Sequence, residues 1–523
     1  MILIFDLKSN IYFVITAILC LFLTGISHSN AEEAEISNST TKKTGFSNTL
    51  PLYSPETDSL TTSDKANFDD DTIVGTLTIP LCRLQGDEKT LYSGILKLNK
   101  KMLDSIEYYP VPRITQGYPD KDFPKDLAEK LQHLLKYTME QYQVPGAIIL
   151  VNHRGKVWRG VAGQARIDDK PQVFSNKFRA GSVTKMFVAS IVLELAQEKL
   201  LTLDDTMEEW FHDEIWYSKM PHGNKITIRD LLRHQSGLYN YIGSPVISTS
   251  MRKTPMRIFS PQELLAYSFE HGPLFEPGTQ YDYSNTNYIL AGLLIEKITH
   301  RSLNENINYR ILEPTEMFST VFPDDAGIPY CYSHGYSYLG QNISPQDTTF
   351  LEPSVAWAAG AIISNSIDLG YFTYLQAIGK ISPFKELPKW LQEEKFRFAN
   401  PSSLETYEGC HQKDSEAEPL FGIGIFCYYG YLGYEGVISG YNTSTWYRPD
   451  EENADKEGIG IMINLNMTDS PEVTAGDIFL RIVRILHEED SSSKKRFLSD
   501  GKLPDGRTLI QATLGIKADE KVK

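Results

Sequence analysis

Ser182-Val183-Thr184-Lys185 puts a hydroxyl and a primary amine three residues apart at the head of an apolar-periodic segment. A serine hydroxyl is a poor nucleophile at neutral pH and needs a base beside it. On the first turn of a helix, Lys185 stands one turn above Ser182 on the same face. The helix N-terminus adds partial positive charge and free N–H groups where an oxyanion would form. The chemistry expected is acyl transfer through Ser182, with Lys185 as its base. A serine cap followed by a solvated lysine is written with the same letters, so other residues must decide.

A second candidate is Tyr283-Ser284-Asn285, inside residues 277–288. Tyr283 and Asn285 are expected on one side of a short extended or tight loop, ahead of a helix over 289–298. A phenol close to a lysine ammonium can have its pKa lowered and share proton transfer with it. An asparagine donates and accepts at once, as a peptide-like group requires. Alone, a Tyr-x-Asn triplet marks a turn with a packed aromatic. His234 precedes a turn at Ser236-Gly237 and is read as structural rather than as a base. His153 and His334 stand in no motif and are read as surface or packing residues.

The elements that must carry these residues follow from periodicity. Leu127, Leu131, Leu134, Leu135 and Met139 stripe a helix over 124–142. Strands are expected over 145–151 and 157–162, turned at 153–156. The segment after Ser182 is apolar at Phe187, Ile191, Val192, Leu195 and Ala196. Leu201 to Asp205 signals a new helix start with Asp at the cap. Late in the chain, 441–447 and 458–464 read as paired strands, followed by an amphipathic helix over 473–487. One sheet built from both ends, with a mostly helical insertion between, accounts for this order.

Several segments flank that core. Residues 1–31 read as a signal peptide: Lys8, an apolar run over 11–26, then Ser29-Asn30-Ala31 with small residues for cleavage. An uncleaved membrane anchor is the competing reading, and both place the bulk of the chain outside the cytoplasm, periplasmic or secreted. Residues 32–71 read as a disordered linker, 72–118 as a small β-rich module, 119–487 as the main domain and 488–523 as a polar tail. The formal net charge of −16 argues against nucleic acid as a partner. Of five cysteines, Cys20 falls in the signal; among Cys82, Cys331, Cys410 and Cys427, the pair Cys410–Cys427 closes a short loop and is favoured. Asn38, Asn342, Asn442 and Asn466 begin N-x-[ST] triplets, glycan acceptors in a glycosylating host. No metal-binding spacing is present and no cofactor is expected. Nothing in the sequence sets an oligomeric state.

Over about 122–487 the chain resembles the serine β-lactamase-like hydrolases of the class C type, which also include D-Ala-D-Ala carboxypeptidases, D-aminopeptidases and esterases. The resemblance is carried by Phe178-Arg179-Ala180-Gly181-Ser182-Val183-Thr184-Lys185, by residues 226–238 (ITIRDLLRHQSGL), by residues 277–285 and by residues 359–369 (AGAIISNSIDL), in that order. It implies an α/β (α+β) fold: an antiparallel sheet flanked by helices, with an inserted, mostly helical subdomain. It also implies that Ser182 is acylated and that Lys185 and Tyr283 share the base and acid work. Asn285 would bind the substrate amide or orient Lys185, and the Ser182 N–H would form half of an oxyanion hole.

The chain departs from the family at its third motif, a Lys or His, any residue, then Gly. The matching stretch is Gly433-Tyr434-Glu435-Gly436-Val437. Tyr434 stands where a cation ordinarily holds a substrate carboxylate, and Glu435 is expected to add negative charge nearby. Tyr434, Gly436 and Val437 remain the expected substrate-binding residues, with the Val437 N–H completing the oxyanion hole. The expected partner is a small ester, amide or peptide, with an ester or amide lacking a free carboxylate favoured over a β-lactam. The alternative is a binding or scaffolding protein that keeps the fold without turnover.

Overall fold

The computed structural model describes residues 116–487, apart from 143, 168–169, 339–344, 411–417, 451–457 and 469–472. The expected signal, linker and tail, and the β-rich module up to residue 115, lie outside the described residues. An eleven-stranded antiparallel sheet runs through the described part. Its strands are β1 (Gln116–Pro119), β2 (Gly146–His153), β3 (Lys156–Arg166), β4 (Lys170–Pro171), β5 (Arg397–Ala399), β6 (Thr406–Glu408), β7 (Leu420–Phe421), β8 (Phe426–Tyr428), β9 (Tyr431–Ile438), β10 (Tyr441–Arg448) and β11 (Ile459–Leu465). The spatial order is β1-β3-β2-β11-β10-β9-β8-β7-β5-β6, with β4 on β3. The two ends of the chain meet where β11 pairs with β2, Ile463 opposite Ile149.

The reason for that meeting is local. β2 and β11 carry Ile148, Ile149, Val151, Ile461, Ile463 and Leu465, all buried, and β-branched runs of this kind pack well on a pleated surface covered on both faces. α1 (Lys125–Tyr142) and α5 (Ala475–His487) pack against each other and against this sheet. α1 buries Leu127, Leu131, Leu134 and Leu135, as its stripe requires. Between β4 and β5 comes the helical insertion, including α2 (Thr184–Gln197), α3 (Asn285–Thr299) and α4 (Ser366–Ala377). α4 lies on β2, β9, β10 and β11, and α2 packs on α3. α2 is buried on every side from Thr184 to Ala196, the pattern of a central rather than a surface helix.

Three expectations need correction. The helix after Leu201 is capped by Thr206, not by an aspartate: Thr206 and Glu209 form a capping box at the start of Met207–Phe211. Asp205 instead holds the Thr202 N–H. The helix following Tyr283 begins at Asn285, four residues earlier than its apolar run suggests. Asn442 and Asn466 head glycosylation triplets, yet both are buried. Asn442 accepts from the Ala475 N–H and Asn466 donates to the Gln164 carbonyl, so neither is available to a glycan in the folded chain. Cys410 and Cys427 form a disulfide.

Candidate active site

Ser182 sits in a tight turn, Gly181–Val183, that runs directly into α2. The turn is pinned from below. Thr184 Oγ1 donates to the Gly181 carbonyl at 2.7 Å and accepts from the Ile362 N–H at 3.0 Å. The Ala180 N–H donates to the Ile362 carbonyl. Ser182 itself is half-buried, so its hydroxyl is supported and still reachable.

Lys185 Nζ lies 3.0 Å from Ser182 Oγ. It is also 2.7 Å from Asn285 Oδ1 and 2.8 Å from the Ala359 carbonyl. The side chain is fully buried, with the Tyr283 and Tyr288 ring centroids 4.9 and 5.6 Å from Nζ. Burial without a carboxylate partner holds its pKa well below the ordinary lysine value. The three contacts suit a neutral amine. In the neutral amine, two N–H groups donate to the Asn285 and Ala359 oxygens, which leaves the lone pair for the serine hydroxyl.

Tyr283 does not titrate as expected. Burial pushes its phenol up to about 12, against the opposing effect of hydrogen bonds with Ser182 and Tyr434. A lowered value would need a lysine cation beside it, and Lys185 is itself desolvated. The phenol is therefore an O–H donor at neutral pH. Asn285 is half-buried at the head of α3. Its N–H donates to Asn240 Oδ1, while Asn240 Nδ2 reaches the Tyr283 carbonyl.

The third-motif residues lie on β9. β8 pairs with β9 from Tyr431 to Gly433, which leaves the strand after Gly433 open to the Ser182 turn. A Cβ on Gly436 would lie 2.0 Å from the Ala180 carbonyl oxygen and 3.0 Å from the Ser182 nitrogen; one on Gly181 (φ 57) would lie 2.9 Å from the Val437 nitrogen. Only glycine permits this approach, which brings the backbone at Ser182 and Val437 close together. Tyr434 is buried, and its hydroxyl donates to the Tyr283 oxygen at 3.4 Å.

Glu435 corrects the expectation of negative charge at the site. Strand alternation sends it to the opposite face, where it accepts from Ser444 Oγ and presses on Gly476 of α5. Burial, and then the nearby Asp477 carboxylate, push its carboxyl up to about 8. It is protonated at neutral pH and faces away from Ser182.

Two functional groups escaped the sequence reading. The Ala359 carbonyl is a backbone atom with no letter of its own, although it lies at the head of residues 359–369. Asn240, which braces both Tyr283 and Asn285, carried no spacing signal.

A beta-lactamase family model matches residues 131–483; the chain belongs to the beta-lactamase family. Protein flp of Staphylococcus aureus (strain MW2) is 28% identical over 202 residues, 38% of this chain and 39% of that protein. The chain thus spans about two fifths of the length of the first curated relatives it matches. A teichoic acid D-alanine hydrolase of Staphylococcus aureus (strain MRSA252) is 25% identical over 292 residues, covering 54% of this chain and 67% of that protein. A D-stereospecific amidohydrolase from a Streptomyces species aligns with a TM-score of 0.56 and 27% identity, covering 70% of this chain and 99% of that structure.

Proposed function

We propose that the chain is an exported serine hydrolase that cleaves an ester or amide through a Ser182 acyl-enzyme, with acyl groups that carry no free carboxylate. The observation that carries the reading is the Lys185 amine, fully buried, 3.0 Å from Ser182 Oγ and held by Asn285 and the Ala359 carbonyl. Ser182 Oγ attacks the substrate carbonyl carbon and its proton passes to Lys185 Nζ. The Ser182 and Val437 N–H groups receive the developing oxyanion. Tyr283, a neutral phenol at the serine, donates to the leaving oxygen or nitrogen and is reprotonated through the lysine. Water then attacks the acyl-enzyme by the reverse route.

Tyr434 bears on the choice of substrate. A phenol replaces the cation that would bind a carboxylate, and Glu435 turns away from the site, so no charge is directed from this strand at the acyl group. The names of two relatives, a teichoic acid D-alanine hydrolase and a D-stereospecific amidohydrolase, favour D-aminoacyl esters and amides as the class. Export is supported by the charged and apolar N-terminal pattern of residues 1–31. The Cys410–Cys427 disulfide agrees with an oxidising compartment. Sequencing the N-terminus of the mature protein tests that part.

The direct test is intact mass after exposure to a fluorophosphonate, a penicillin and D- and L-alanyl esters and anilides, beside Ser182→Ala. The expected result is a fluorophosphonate adduct and D-selective turnover, both lost in a folded Ser182→Ala. Undiminished turnover in that variant removes the assignment. No adduct with any reagent on folded wild type returns the chain to a binding role.

A further inference from the structure

His234 takes no part in the proton transfers above, yet it encloses Tyr283 on three sides. Its carbonyl accepts the Asp282 N–H at 3.0 Å. Its Nδ1 accepts the Ser284 N–H at 3.2 Å. Its ring stacks on the Tyr283 ring, centroids 4.2 Å apart and planes 29° from parallel. The residues immediately before and after the tyrosine, and the tyrosine ring itself, are therefore all held by this one histidine.

The histidine is fixed in turn. Asn287 Nδ2 lies 3.3 Å from Nδ1, Asn287 Oδ1 accepts from Ser236 Oγ at 2.5 Å, and Ser236 Oγ accepts the Leu238 N–H. With Nδ1 accepting from Ser284, the ring proton belongs on Nε2. The ring is buried, and burial holds its pKa well below the ordinary histidine value. The backbone at His234 is left-handed, φ 57, a conformation that asparagine also visits more readily than most residues.

We propose that His234 is a positioning residue for the Tyr283 phenol, clamping the backbone on both sides of the tyrosine and one face of its ring so that its hydroxyl is held against Ser182. The inference rests on the reading of Tyr283 as the proton donor of an acyl transfer. A core histidine that merely fills space would bond to whichever backbone lies nearest. Here two of its polar atoms are used on the neighbours of Tyr283, whose ring centroid lies 4.9 Å from the Lys185 nitrogen that contacts Ser182.

Two variants separate the parts of the clamp. His234→Asn keeps the carbonyl, tolerates the left-handed backbone, supplies an oxygen near the place of Nδ1 and removes the ring. His234→Phe keeps a ring and removes the acceptor for Ser284. With a D-alanyl anilide or alkyl ester, whose leaving group needs a proton, each is expected to lower kcat by about 10- to 100-fold with KM within about twofold, since an ångström of misplacement of a catalytic group costs on that order. Crystal structures of the variants are expected to show the Tyr283 hydroxyl displaced from Ser182.

The proposal is overturned if His234→Asn folds with Tyr283 unmoved and kcat unchanged, or if any loss of kcat only follows the loss of folded protein. A wild type that neither turns over nor takes the fluorophosphonate removes the acyl-transfer reading instead. The position of Tyr283 in the variant structures then still decides whether the clamp exists.

Discussion

In the proposed reaction Lys185 serves as the base because of where its nitrogen is, not because it is a lysine. An ordinary lysine stays charged to pH 10 and cannot take a proton from serine at neutrality. Here burial holds the amine well below that value, which favours the neutral form that the proposed reaction uses. As the pH falls the amine gains a proton and the base is lost; as it rises the base persists, and the Tyr283 phenol keeps its proton up to about 12. The expected kcat/KM profile is therefore an acid-side loss, with activity retained from neutral into mildly alkaline pH. A profile that climbs only as pH 10 is approached contradicts this. Lys185→Arg leaves a permanent cation in the same pocket and is expected to lose about 100- to 10,000-fold in kcat, the scale of a general base. Near-normal turnover by that variant assigns the base elsewhere.

At the scale of elements, β9 does two jobs on its two faces. Toward Ser182 it must come close, and Gly436 is what lets it. Gly436→Ala places a methyl 2.0 Å from the Ala180 oxygen, so the strand or the turn must retreat. The expected outcome is a fall in kcat of about 100-fold, as for loss of an oxyanion-hole donor, while circular dichroism still reports the native fold. Full activity in Gly436→Ala shows that the approach is not needed. On the other face, Glu435 is buried against α5 with its carboxyl raised to about 8. The folded chain holds a proton that the unfolded chain releases near pH 4.5. That stabilisation is complete below pH 4.5 and is lost as pH rises through about 8, by a few kcal/mol at most. Glu435→Gln keeps a neutral, hydrogen-bonding side chain. Its Tm is expected to fall less than that of the wild type between pH 6 and 9. Parallel curves place the alkaline loss on another group.

For the whole molecule, the far end of the sheet is a satellite of the main core. Phe398, Leu420, Ile425, Cys427, Leu432 and Tyr447 form a small cluster of their own, and a core of that size holds a short-stranded edge weakly. The Cys410–Cys427 disulfide closes 17 residues there, a loop length worth about 3 kcal/mol in chain entropy. Cys410→Ala with Cys427→Ala is expected to lower Tm by several degrees and to leave the proposed Ser182-dependent turnover at low temperature near wild type. An unchanged Tm assigns the stability of this edge to packing alone.

The letters themselves determined a good deal. The stripe of α1, the apolar length of α2 and the alternation of β10 and β11 are periodic features, and periodicity is local. The types Ser182, Lys185, Tyr283 and Asn285 were legible for the same reason, as was the glycine-bearing strand with Tyr434 in place of a cation. Helix starts were less so. Asn285 begins α3 because Ser284 is already extended, a dihedral that an apolar pattern does not encode. What only tertiary structure decided was protonation and facing. Lys185 has its pKa lowered by burial, in a pocket closed by segments 100 and 174 residues away at Asn285 and Ala359. The same burial reversed the expected direction for Tyr283. Glu435 proved uncharged and turned from the site because α5 covers its face of the sheet. Residue type sets which protons can move; the dielectric and the neighbours that set where they rest are assembled from segments distant in sequence.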